Sequence, residues 1–173
     1  MDLRLGRICA VVAGVWWLAC GGAEAATTVI AKAGAWQAFH GTSTDGTEVC
    51  GISTTWPDNR YFGLKFYKGD KTFTIQLGSP KWQINDGTKQ RVFMQIDQNA
   101  RWVATASGMH FSKEEAGLEF EINSGEVSTF VSEFRGGSQL LLQFPDFNVE
   151  DWTAALDGTR TLIGSFLNCI EAL

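Results

Sequence analysis

The sequence predicts an α+β fold, predominantly antiparallel β: a curved sheet, sandwich or partial barrel with two helices, one of them C-terminal. Three observations predict it. About eight segments alternate between apolar and polar residues and are rich in β-branched and aromatic side chains. Clusters of Gly, Asp and Asn separate them at hairpin spacing. Only two segments switch to a 3.6-residue period, and the second lies at the end of the chain.

Residues 36–40 alternate, 41–46 form a turn cluster, and 48–55 resume an extended run. Segments 61–67 and 72–77 flank Lys68-Gly69-Asp70-Lys71, a hairpin signal because Gly and Asp tolerate positive φ. Segments 91–96 and 101–105 flank a second hairpin turn at 97–100, with Asp97 at its tip. Residues 118–122 hold strict period two with Glu119 and Glu121 on the wet face, and 139–144 read as a deeply buried strand. The first helix is expected over 126–135, where Val127, Phe130, Val131 and Phe134 recur at spacings of three and four before Gly136-Gly137. The second is expected over 159–172, with Leu162, Ile163, Phe166, Leu167 and Ile170 on one face and Asp157 or Thr159 as N-cap.

The N-terminus carries an address. Arg4 and Arg7 precede an apolar run from Ile8 to Cys20, and Ala23-Glu24-Ala25 supplies a cleavage site. The apolar run is shorter than the roughly 20 residues that span a bilayer. Residues 1–25 therefore read as a cleaved signal peptide, and 26–173 as a single β-rich domain destined for the periplasm or for secretion. A competing reading makes Leu18-Ala19-Cys20-Gly21 a lipoprotein box, with the protein anchored through an acylated Cys20. Beyond the leader no further hydrophobic span is expected.

Cleavage removes Cys9 and Cys20 and leaves Cys50 and Cys169. Two cysteines in an oxidising compartment predict one disulfide, which would tie the C-terminal helix to an early strand. The leader holds two basic and two acidic residues, so the net charge stays at -5. An acidic, evenly mixed surface argues against nucleic acid and against anionic membranes. The triplet Asp-Gly-Thr occurs at 45–47, 86–88 and 157–159. It reads as reused turn chemistry, with a diverged internal duplication as the alternative.

No nucleophile motif is present: there is no Gly-x-Ser-x-Gly, Ser-x-x-Lys or His-Glu-x-x-His. The mature imidazoles, His40 and His110, have no acid or nucleophile at a recognisable spacing, and Glu114-Glu115 falls in an expected polar loop. No catalytic residue, metal site or cofactor is predicted. The aromatic load is the remaining lead. Periodicity places Trp36 and Trp102 in the core. Trp56 and Trp82, each beside a proline in an expected loop, are open to either core or contact roles, and with Tyr61 they are the candidate partner-binding residues.

The early tryptophan strand and cysteine strand (36–50), the successive hairpins, and a closing Leu156-x-Gly158 segment leading into a helix that carries Cys169-Ile170 resemble the invasion-associated locus B family of small exported alphaproteobacterial proteins. The chain has fewer cysteines than is usual there. The resemblance implies a bacterial envelope protein without known catalysis, and no binding residue carries over. The expected function is a non-enzymatic exported envelope protein that binds a protein or glycan partner. The alternative is a cell-wall-directed hydrolase or an inhibitor of one.

Overall fold

The structure is a computed structural model that describes residues 27–112 and 115–173. The leader, its cleavage site and Cys20 lie outside the described residues. The elements run β1 (Thr27–Ala33), β2 (Trp36–Thr42), β3 (Glu48–Thr55), β4 (Tyr61–Tyr67), β5 (Phe73–Ser79), β6 (Lys89–Ile96), β7 (Trp102–Ser112), β8 (Glu115–Ile122), α1 (Val127–Gly136), β9 (Gln139–Gln143), β10 (Trp152–Ala155) and α2 (Thr159–Glu171).

All ten strands join one antiparallel sheet in the order β1-β2-β3-β4-β5-β8-β7-β6-β9-β10, and β1 does not pair with β10. The first five strands form a meander because each turn between them is short, which keeps sequential neighbours paired. Period two then sorts the side chains. Ile52, Leu64, Ile75, Leu77, Leu118, Val92, Met94, Leu140 and Leu142 are buried with at most 1% exposure. The two helices plug the concave side: α2 packs on β1, β2 and β3, and α1 packs on α2. Phe134 of α1 meets Trp36 at 5.3 Å, Phe130 meets Trp102 at 5.6 Å, and Phe166 of α2 meets Phe73 at 5.4 Å. Rings from β2, β7 and β5 thus converge on the helix pair, which gives the curved sheet its core.

The disulfide forms between Cys50 of β3 and Cys169 of α2, with Cα atoms 6.0 Å apart. Several local expectations are corrected. Strands β1 and β10 were not expected: β1 is mostly solvent-exposed and β10 has only four residues, so neither carries a strong alternation. Strand β7 extends to Ser112 rather than stopping at 105, because its small residues Ala104, Ala106 and Gly108 hide the period. Glu115 opens strand β8 instead of lying in a loop. The N-cap of α2 is Gly158, at φ 97 and without a side-chain cap; the Thr159 hydroxyl donates to the Phe134 and Leu156 carbonyls instead. Asp97 lies in the β6–β7 hairpin turn as expected, at φ 50, and its carboxylate accepts from the backbone N–H groups of Ser138 and Gln139. The glycines of all three Asp-Gly-Thr triplets adopt positive φ, as turn chemistry requires.

Among the described residues, the convex face of the sheet carries no helix. Its side chains lie flat instead: Phe39 covers Gly51, Tyr61 covers Gly63, and Phe111 covers Gly78 and Gly117, where an added Cβ would approach an atom of the aromatic side chain to within 2.2–2.7 Å. This paving, with Gln76 donating to Glu119 at 2.6 Å, buries every residue of β5.

Candidate functional site

Three loops meet at one rim of the curled sheet, and each is built around a proline. In Trp56-Pro57-Asp58-Asn59 the Asn59 N–H donates to the Trp56 carbonyl at 2.9 Å. In Ser79-Pro80-Lys81-Trp82 the Trp82 N–H donates to Ser79 at 3.1 Å, and in Phe144-Pro145-Asp146-Phe147 the Phe147 N–H donates to Phe144 at 3.1 Å. Proline at the second turn position presets φ, so the same local rule makes all three turns. These are the only three prolines in the chain.

The loops frame a shallow cavity of about 290 Å3. Its floor is Trp82 and Trp152, stacked at 4.8 Å and 16°, with Trp56 tilted against Trp152 at 5.6 Å. Its edge carries Asp58, Arg60, Lys81 and Glu150. The Arg60 guanidinium lies 5.4 Å from the Trp56 ring and 5.3 Å from the Trp152 ring, and its Nε donates to Asp58 at 2.9 Å. That hydrogen bond is the main reason the Asp58 carboxyl sits below its usual range.

The structure therefore brings Trp56 and Trp82 together, through Trp152. It also sets how far each ring is exposed. Trp82 is only 7% exposed and Trp152 only 3%, so both are core residues that shape the floor. Trp56 is half-buried, and its indole N–H donates to the Thr153 carbonyl at 3.0 Å. Tyr61 goes elsewhere. It lies on the convex face, 5.9 Å edge-on from Phe111 and 5.9 Å from the Lys65 ammonium, and burial pushes its phenol above the ordinary value.

Sequence reasoning did not single out Arg60, Lys81 or Trp152 as site residues. The repeated proline turn could have found the third loop, since Phe144-Pro145-Asp146 has the same form as Trp56-Pro57-Asp58. The histidines do gain acid partners through the fold: His110 Nδ1 lies 2.6 Å from Asp86, and His40 Nε2 lies 3.6 Å from Glu48. Both pairs are open to solvent, and Asp86 is 74% exposed. Among the described residues no group of three or more His, Cys, Asp or Glu side chains is placed to hold a metal ion. No described helix is long and apolar enough to cross a membrane.

No family model matches this chain, and no curated protein matches it significantly. Among solved structures the chain is similar to invasion associated protein B from Bartonella henselae. The two share 16% identity and a TM-score of 0.55, over 82% of this chain and 97% of that one. At that identity the likeness concerns the fold: a largely antiparallel sheet with a closing helix.

Proposed function

We propose that this is an exported, non-enzymatic protein of the bacterial envelope that holds a protein or glycan partner at the proline-turn rim. The convergence of two proline turns, and of residues 148–150 just after the third, on an aromatic-floored, charge-edged cavity carries this reading. Loops on a rigid scaffold are the usual place for recognition, and preset φ angles lower the entropy lost on binding. The stacked indoles make the floor stiff, while Arg60, Lys81, Asp58 and Glu150 offer both signs of charge at the edge. Asp58, ionised and tied to Arg60, is suited to hold a partner; a general acid would need a raised pKa. Export is supported by the leader and by the Cys50–Cys169 bond, since disulfides persist in oxidising compartments.

The test is capture from envelope extract by the purified protein, with a Lys81→Glu/Glu150→Lys variant beside it. Both side chains are solvent-exposed, so the variant should melt like the wild type yet capture the partner about tenfold less well. Equal capture by both proteins would sink the rim as the binding site. Release of reducing ends from purified cell wall by the wild type would replace binding with hydrolysis.

A further inference from the structure

Five arginines lie among the described residues, and three have partners. Arg60 bonds Asp58, Arg91 grips Asp146 through Nε and Nη2, and Arg101 lies 4.8 Å from the Phe93 ring centroid. Arg135 and Arg160 make no ion pair or side-chain hydrogen bond to another described residue. Both line the same cavity, of about 380 Å3, between α1 and α2. Ser128, Val131, Ser132 and Gly136 complete its lining, so it contains two cations, two hydroxyls and no carboxylate. This is an uncompensated positive site in a chain of net charge -5.

Stability does not account for the pair. Arg135 sits in the last turn of α1, where a cation suits the negative end of the helix dipole. Arg160 sits in the first turn of α2, at the positive end, where no acidic residue balances it. It therefore sits at an unfavourable helix end and lines the same cavity as a second arginine. On α1 the spacing of 128, 132 and 135 puts both serines and Arg135 on one side of the helix. Gly136 adds no side chain to obstruct the opening.

We infer that the cleft between α1 and α2 binds a phosphate-type oxyanion, held between the Arg135 and Arg160 guanidinium groups with Ser128 and Ser132 donating from one side. Two guanidinium forks and two hydroxyls offer more donors than the two oxygens of a carboxylate take up, and they match the several oxygens of a tetrahedral anion. The site lies apart from the proline-turn rim and stands independently of its function.

The experiment titrates the purified protein with inorganic phosphate, followed by calorimetry. In parallel it measures co-sedimentation with phosphatidylglycerol vesicles and with phosphatidylcholine vesicles. Arg135→Gln, Arg160→Gln and, as control, Arg101→Gln are compared. Each cleft variant should lose about tenfold in affinity, the loss expected for one charge-assisted hydrogen bond, while Arg101→Gln binds like the wild type. Binding of inorganic phosphate assigns a soluble phosphoester, whereas binding confined to phosphatidylglycerol vesicles assigns a lipid headgroup; both support the site. Arg160→Gln should fold with undiminished thermal stability. The inference is overturned if neither probe binds, if the cleft variants bind like the wild type, if acetate competes as well as phosphate, or if Arg160→Gln unfolds.

Discussion

Trp36 donates its indole N–H to the carbonyl of Ala155 at 2.7 Å, across 119 residues of chain. Two residues earlier on β10, the Thr153 carbonyl accepts from Trp56 at 3.0 Å. Residues two apart on a strand point their carbonyls the same way, so these are successive acceptors on the edge of β10 that faces away from β9. Among the described residues no strand pairs with this edge; two tryptophans donate to it instead.

Replacing either indole therefore tests the seam. Trp36→Phe removes a fully buried donor, orphans the Ala155 carbonyl and leaves a void, and should cost about 2–4 kcal/mol in urea unfolding. Trp56→Phe, at a half-exposed position, should cost about 1 kcal/mol or less. A Trp36→Phe protein within error of wild type would show that the seam is held by other contacts.

The disulfide closes a separation of 119 residues. In the chain-entropy picture that constraint stabilises by about 5 kcal/mol, so Cys169→Ser should lower the melting temperature by on the order of 10 °C. Differential scanning calorimetry of the oxidised wild type and the variant measures it. An unchanged melting temperature would mean that packing of Leu162, Ile163 and Phe166 holds α2 without the bond.

Two glycines in and beside α2 should respond in opposite directions to alanine. Gly158 has φ 97, and a Cβ there would lie 2.5 Å from the Ala33 carbonyl oxygen, which is backbone and cannot move aside. Gly158→Ala should cost about 2 kcal/mol or more. Gly164 lies inside the helix with nothing within 4 Å of the added atom. Gly164→Ala should stabilise by about 0.5–1 kcal/mol. Equal and opposite signs reversed in urea titrations would contradict the turn geometry at 157–159.

Acid should weaken the tie between β6 and the third rim loop. Arg91 bonds the Asp146 carboxylate through its side chain and its backbone N–H, and holds it below the ordinary 3.8. A folded-state pKa below the unfolded one stabilises fully above the unfolded value and is lost as pH falls through the folded value. The melting temperature of wild type should thus exceed that of Asp146→Asn at neutral pH, with the gap closing once the pH drops below 3.8. A gap that persists at lower pH would assign the difference to something other than this carboxylate.

What the sequence determined by itself was local. Period two, period 3.6 and turn residues act over a few neighbours, so eight strands, both helices and the positive-φ glycines were legible, and the expected pairing of Cys50 with Cys169 is the bond that forms. The short edge strand β10 was not legible, because four residues hold too little pattern and its pairing depends on β9. Tertiary structure alone decided which faces were covered. Trp82 sits beside a proline in a turn, yet it is buried because β10 and the 144–151 loop bring Trp152 and Phe144 against it. Tyr61, only five residues from Trp56, points to the opposite face. Arg135 and Arg160 line one cavity because α1 packs on α2, and Asp86 reaches His110 because the 80–88 segment lies along β7. Such encounters join residues tens of positions apart, and they follow from how the whole sheet curls around its helices rather than from any repeat that a short window of sequence can show.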